Sequence, residues 1–282
     1  MRPSFHKQYR PLTSRPFLSG SSYSEYTPCS QLAPYIACFW ETGGESGIGE
    51  AMSREVLVIP DTCADIIIEI DHTAGSITSR LCGLADSPKL IEQKPVRENV
   101  TTFAVRFYFW AMRLFLDVEM RELYNQTFDF ALVDQMAFRE YEALFYMADT
   151  SERIAWMESH LIKKLLRITA NSCYNSNLYN SIEKILYGRG NISVKEICKY
   201  SCVSQRQMER LFLQNIGMSI KRTAGLIRYQ NVWRDVVKQE RFDVQDAVYR
   251  YGFSDQSHLL NQFKRFHGVT PEQAKQIALI NR

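Results

Sequence analysis

Between Tyr251 and Pro271 the chain sets polar side chains on one face of a helix whose other face is aromatic, directly after a glycine turn. Ala247, Val248 and Tyr251 continue an apolar helical face, and Gly252 supplies the turn. Ser254 is expected to cap the next helix, with Asp255 favourable beside its N-terminal dipole. Leu259, Leu260, Phe263 and Phe266 recur at helical spacing, which leaves Gln256, Ser257, Asn261 and Lys264 facing outward. Gly268 suits the end of that helix and Pro271 the first turn of another. Gln can pair bidentately with adenine edges and Arg with guanine edges, while Ser and Lys suit phosphates. The chemistry on offer is reading of a DNA major groove by a helix-turn-helix unit.

An earlier stretch repeats the pattern. Val194, Ile197 and Cys198 make a short apolar face, Ser201-Cys202-Val203 sits where the turn belongs, and Ser204 can cap a helix. That helix carries Met208, Leu211 and Phe212 inward and Arg206, Gln207, Glu209 and Arg210 outward, and Gly217 ends it. Ser219 to about Lys238 reads as one continuous helix between the units, with Ile220, Ala224, Ile227, Val232 and Val236 among its apolar positions. Twenty helical residues span about 30 Å, close to the roughly 34 Å between successive major-groove entries on one DNA face. One chain could thus place two recognition helices in adjacent groove segments.

These residues resemble a known family. The stretch from about 178 to 279 is similar to the DNA-binding domain of AraC/XylS-type bacterial transcription regulators. The likeness rests on Gly252-Phe253-Ser254-Asp255-Gln256-Ser257-His258-Leu259, Phe263-Lys264-Arg265 and Gly268-Val269-Thr270-Pro271, supported by Ser204 and Arg210-Leu211-Phe212. It covers slightly over a third of the chain. The resemblance implies two helix-turn-helix subdomains joined by a long helix, in a promoter-binding activator or repressor. It also implies an N-terminal domain that senses a ligand or mediates dimerisation. Carried over by position, it puts Gln205, Arg206, Gln207, Glu209 and Arg210 on the first recognition helix. Asp255, Gln256, Ser257, His258, Asn261 and Lys264 fall on the second. Two positions depart from the pattern: Cys202 stands where glycine is common, which predicts a strained turn, and Asn261 where a basic residue often appears.

The elements that must carry these units divide the chain. Residues 1 to about 30 are rich in Ser, Pro, Tyr and Arg and read as loosely ordered. Strands are expected at Tyr35–Glu41, Glu55–Ile59, Ala64–Ile70 and Thr101–Trp110, punctuated by Gly, Pro, Asp and Ser, as in a sandwich or small barrel. From about 111 the period turns helical, and Ile154, Met157, Leu161, Leu165 and Ile168 form an apolar stripe that packs on its own domain or meets another subunit. Asn171 to Asn177 is a polar break. The expected fold is α+β: a β-rich N-terminal sensor over residues 1–175, then an all-α DNA-binding domain over 176–282. A weaker likeness to one β-rich type of sensor lies in Leu57 to Asp65 and Val105-Arg106-Phe107.

Composition agrees with that division. The formal charge is +3, but residues from Ser176 onward carry 17 Lys and Arg against 9 Asp and Glu, and the rest 17 against 22. A basic third behind an acidic front suits a nucleic-acid module joined to a different one. Seven scattered cysteines, without a close CxxC pair or clustered histidines, suit reduced thiols rather than a metal site. The start lacks the apolar block of a secretory signal, and no apolar run is long enough for a bilayer, so a cytoplasmic protein is expected. No Ser-His-Asp set, phosphate-binding glycine loop or metal-ligand spacing supports catalysis, and no cofactor is implied. In the front half Trp40, Asp61, Cys63, Asp65, Arg106, Tyr108 and Trp110 could line an effector pocket, against a plainer reading as core with Arg106 paired to Asp65 or Glu69. Promoter DNA, RNA polymerase, a small-molecule effector and a second copy of the chain are the partners this picture admits. The rivals are a regulator whose front half only dimerises and an enzyme domain tethered to DNA.

Overall fold

A computed structural model describes residues 4–14, 16, 23–42, 55–92, 99–171 and 175–279. The front half holds eight strands among the described residues: β1 (Ser24–Tyr26), β2 (Ile36–Thr42), β3 (Glu55–Val58), β4 (Cys63–Asp71), β5 (Ser76–Cys82), β6 (Lys89–Glu92), β7 (Val100–Tyr108) and β8 (Thr127–Asp129). Six form one antiparallel sheet in the order β1-β2-β7-β4-β5-β8, and β3 pairs with β6 as a separate ribbon. The alternation seen in the sequence decides its faces. Phe39, Ile66, Ile68, Phe103, Val105 and Phe107 are buried on one side, while Trp40, Asp65 and Arg106 share the other.

The helices are α1 (Phe5–Gln8), α2 (Met112–Phe115), α3 (Met120–Leu123), α4 (Phe130–Val133), α5 (Gln135–Tyr141), α6 (Thr150–Asn171), α7 (Ser176–Tyr187), α8 (Val194–Ser201), α9 (Gln205–Asn215), α10 (Ile220–Lys238), α11 (Val244–Tyr251), α12 (Gln256–His267) and α13 (Pro271–Leu279). Met157, Leu161 and Leu165 of α6 are buried in their own domain; the side chain of Ile168 lies outside the described residues. Part of the polar break, residues 172–174, also lies outside them.

The expectation of loose order at the start is overturned for residues 4–14. Tyr9 is only 3 % exposed, and its hydroxyl shares a 2.9 Å hydrogen bond with Thr62. The following residues run along α10. Leu12 N donates to Gln230 Oε1 at 2.8 Å, and Gln230 Nε2 donates to Leu12 O at 3.1 Å and Pro60 O at 2.8 Å. Trp233 Nε1 donates to Thr13 O at 2.9 Å. The extended segment spends its backbone groups on side chains of a helix rather than on a strand. Composition therefore suggested disorder where tertiary contacts supply order. Gln230 is 0 % exposed with its amide fully used. The helix α10, about 28 Å long, is buried on nearly every side because both helix-turn-helix units and this arm pack around it.

Candidate nucleic-acid interface

The first unit is α8, a tight turn and α9. Ser193 and Glu196 close a capping box at the start of α8, and its last turn docks on α7, where Ser181 and Ser201 share a 2.9 Å hydrogen bond. The turn is made by Cys202 at φ 53 and ψ 37, a left-handed conformation that costs a residue with a Cβ about 1–2 kcal/mol. The strain expected of this cysteine is present, and its side chain is exposed rather than packed. Ser204 caps α9, accepting from Gln207 N at 3.3 Å, and Met208 and Phe212 point fully inward. Gln205, Arg206, Gln207 and Arg210 are left exposed.

The second unit, α11 and α12, has the same plan. Asp243 caps α11, and the hydroxyl of Tyr251 donates to Asp235 Oδ2 of α10 at 2.7 Å. Gly252 takes the left-handed cap at φ 64, and Phe253 in the turn lies 4.7 Å beneath the guanidinium of Arg228. The cap of α12 is Asp255, not Ser254. Its carboxylate accepts from His258 N at 2.7 Å, and Ser254 Oγ donates to its other oxygen at 3.0 Å. This turn is therefore one residue longer than the first. Leu259, Phe263 and Phe266 face inward, while Gln256, Ser257, Asn261 and Lys264 are exposed as their spacing requires. Tyr229 and His267 Nδ1 share a 2.9 Å hydrogen bond behind them, and burial pushes the His267 imidazole down to about 3.

Three of the residues assigned to DNA have structural employment. Glu209 Oε2 accepts from Ile220 N at 3.4 Å, at the first turn of α10. Asp255 is committed to its cap, and the hydrogen bond from His258 N holds its carboxyl below the usual range. His258 Nδ1 sits 3.1 Å from Ser254 Oγ, and its ring packs edge-on to Phe253. Gln256 Nε2 donates to Gln245 Oε1 at 2.7 Å but stays at the surface. Arg222 and Arg265 are not among the residues assigned to DNA, although Arg265 stands in the motif Phe263-Lys264-Arg265. Arg265 follows Lys264 on the exposed stripe of α12, a position its helical spacing would have revealed.

The N-terminal domain reaches this surface. The short helix α3 lies beside α9, with Glu119 and Arg121 on one wall of an open crevice of about 840 Å³ and Gln205, Arg206, Glu209 and Arg210 on the other. A Cβ on Gly217, just past α9, would stand 2.3 Å from the carbonyl oxygen of Met120.

On the sheet, Trp40, Asp61, Asp65 and Arg106 do come together. Arg106 Nε donates to Asp65 Oδ1 at 3.0 Å, and Nη1 stands 3.8 Å from Asp61 Oδ2. Trp40 Nε1 donates to Asp65 Oδ1 at 3.4 Å, and Cys63 N to Asp61 Oδ1 at 3.0 Å. Burial raises the Asp61 carboxyl to about 6 against the pull of Arg106, and also pushes up the Cys63 thiol. Tyr108 and Trp110 stack at 4.4 Å, and Trp110 Nε1 donates to Pro34 O. The internal pairing of Arg106 is with Asp65, as the plainer reading had it; Glu69 instead meets Arg80. Tyr9 and Thr62, absent from the sequence-derived set, adjoin this cluster.

Two capped helices, each ending a helix-turn-helix, thus hang on one connecting helix. Residues 197–277 match a family model described as a helix-turn-helix domain, and residues 24–129 match one described as a domain of unknown function (DUF6597). The chain thus carries a C-terminal helix-turn-helix domain. Among solved structures, it is similar to the C-terminal domain of AraT, a response regulator from Geobacillus stearothermophilus (19 % identity, 37 % of this chain, 88 % of that one, TM-score 0.34). A transcriptional regulator with an AraC-type DNA-binding domain from Chromobacterium violaceum gives 22 %, 38 %, 95 % and 0.34. ToxT from Vibrio cholerae gives 12 %, 93 %, 100 % and 0.39. No curated protein matches the chain. No helix among the described residues is long and apolar enough to cross a membrane.

Proposed function

We propose that α9 and α12 read adjacent major-groove segments of one asymmetric promoter site, and that residues 1–175 control their access to it. The observation that carries this reading is the exposure of Gln205, Arg206 and Gln207 in the first turn of α9 and of Gln256 and Ser257 in that of α12, each above a fully buried anchor. First-turn residues of a recognition helix are those that meet base edges. Arg206, Gln207, Arg210 and Gln256 are assigned to bases, and Ser257, Asn261 and Lys264 to phosphates or the groove rim. The protein works in the cytoplasm, on double-stranded DNA and beside RNA polymerase, without catalysis of its own.

Control by the front half is supported by where its polar cluster sits. Pro60, whose carbonyl binds Gln230 of α10, directly precedes Asp61 and Thr62. An effector that rearranged Trp40, Asp61, Cys63, Asp65, Arg106, Tyr108 or Trp110 would pull on the connecting helix. The self-paired state of Arg106 favours a second reading, in which the front half only dimerises. Native mass spectrometry separates the two: a co-purified small molecule supports sensing, and a bare dimer supports the second reading. For DNA, the test compares Arg206→Ala with Lys264→Ala on a duplex recovered from a random-sequence pool. The first should lose preference at particular bases, and the second should weaken all sequences alike. The reverse result overturns the roles.

A further inference from the structure

We propose that Arg222 and Arg265 form a subsite for a DNA backbone phosphate, filled in the unbound chain by the carboxylate of Asp86. This rests on the DNA-binding reading above and adds to it two residues and a competitor. Arg222 stands in the first turn of α10 and Arg265 near the end of α12, yet both converge on one oxygen of the N-terminal domain. Asp86 Oδ2 lies 3.6 Å from Arg222 Nε and 3.7 Å from Arg265 Nη2.

The carboxylate is built into place. Asn125 Nδ2 donates to its Oδ1 at 2.9 Å, and Asp86 N donates back to Asn125 Oδ1 at 3.0 Å. Asn125 itself adopts φ 59, with its N–H on Leu84 O. One oxygen is thereby spent inside its own domain, and the other is turned to the arginines. Burial alone would raise this carboxyl, but hydrogen bonds from Tyr124 and Asn125 and the two guanidinium groups outweigh it and hold it below the usual range. Arg222 Nη1 also donates to Tyr124 Oη at 2.8 Å.

The arginine side is open. The Asp86 side chain is 10 % exposed, whereas those of Arg222 and Arg265 are 50 % and 62 % exposed, so an anion can reach both from solvent. Arg265 lies one turn beyond Asn261 on the face of α12 opposite Leu259, Phe263 and Phe266, the face assigned to DNA. A phosphate asks of guanidinium groups what a carboxylate does: two cationic N–H donors aimed at anionic oxygen. The same N–H groups cannot serve Asp86 and a phosphate together. Ion pairs at these distances and exposures are weak. Asp86 therefore handicaps binding rather than preventing it.

The test uses the full chain and the selected duplex, titrated over a salt series. Asp86→Asn keeps an oxygen for Asn125 Nδ2 and puts a neutral amide NH2, which donates rather than accepts, toward the arginines. It should bind DNA about fivefold tighter. Arg265→Ala should weaken binding and flatten the logarithmic salt slope by about one. It should cost more in the Asp86→Asn background, where no competing anion is released by the loss. Equal affinity of wild type and Asp86→Asn, or an unchanged salt slope in Arg265→Ala, overturns the subsite while leaving salt-sensitive DNA binding intact. If neither the wild type nor Asp86→Asn binds any duplex in the pool, the DNA-binding reading falls with it.

Discussion

The two turns offer a matched experiment in opposite directions. Cys202 and Gly252 cap equivalent helices in nearly the same left-handed conformation, φ 53 and φ 64, but only one of them is a glycine. Cys202→Gly relieves about 1–2 kcal/mol of backbone strain. Glycine's freer unfolded chain takes back about 0.4–1 kcal/mol. Little else is lost, because the exposed thiol makes only a 3.9 Å contact with Lys199 O. The variant should be stabilised by about 0.5–1 kcal/mol, or about 3 °C in melting temperature. Gly252→Ala reverses both terms and adds a collision: its Cβ would stand 2.2 Å from Asn191 Nδ2. That side chain can move, so the total loss should be about 1–3 kcal/mol. Thermal unfolding, with hydrogen exchange at the amides of Val203 and Phe253, reads both changes. The reasoning is refuted if Cys202→Gly destabilises the chain, or if Gly252→Ala leaves protection at Phe253 unaltered.

Gln230→Ala strands the backbone groups of Leu12 and Pro60 that its amide satisfies. It should cost about 2–4 kcal/mol and expose residues 10–14 to protease; unchanged cleavage in this segment would show that the arm is held by other contacts. His267, with its buried imidazole near 3, is neutral in the fold and titrates near its ordinary 6.5 when unfolded. The unfolded chain therefore binds the extra proton between those values, and the stability present above pH 6.5 falls as pH drops toward 3. Asp61, raised to about 6, works in the opposite sense over part of this window, so the wild-type profile alone is ambiguous. Subtracting the profile of His267→Gln isolates the histidine: the variant should lose up to about 1.4 kcal/mol less per pH unit on acidification. Parallel profiles would disprove its neutral burial.

Both helix-turn-helix units were legible in the chain because their information is local. Apolar residues at three- and four-residue steps, a capping side chain and a turn residue lie within about 25 positions of one another, and each helix shows its buried face by period. The main strands were legible for the same reason, since Phe103, Val105 and Phe107 alternate with Ala104 and Arg106 along β7. The strands β1, β5, β6 and β8 were not, because their pairing partners rather than their own pattern make them strands. The identity of the α12 cap escaped too. Ser254 and Asp255 can both cap, and only the observed backbone path gives the carboxylate to His258 N.

The basic charge of the C-terminal part, the twin helix-turn-helix units, the strained cysteine turn and the candidate contacts Arg206, Gln256 and Lys264 were all written in the order of residues. What tertiary structure alone decided is which of those polar residues remain free. Glu209 serves α10, Arg106 serves Asp65, and the arm at residues 10–13 is held by side chains more than two hundred positions away. Asp86, in a loop of the front domain, stands against Arg222 and Arg265 for the same reason. Such pairings depend on how separately folded elements dock, and a charged residue shows no period that names its distant partner.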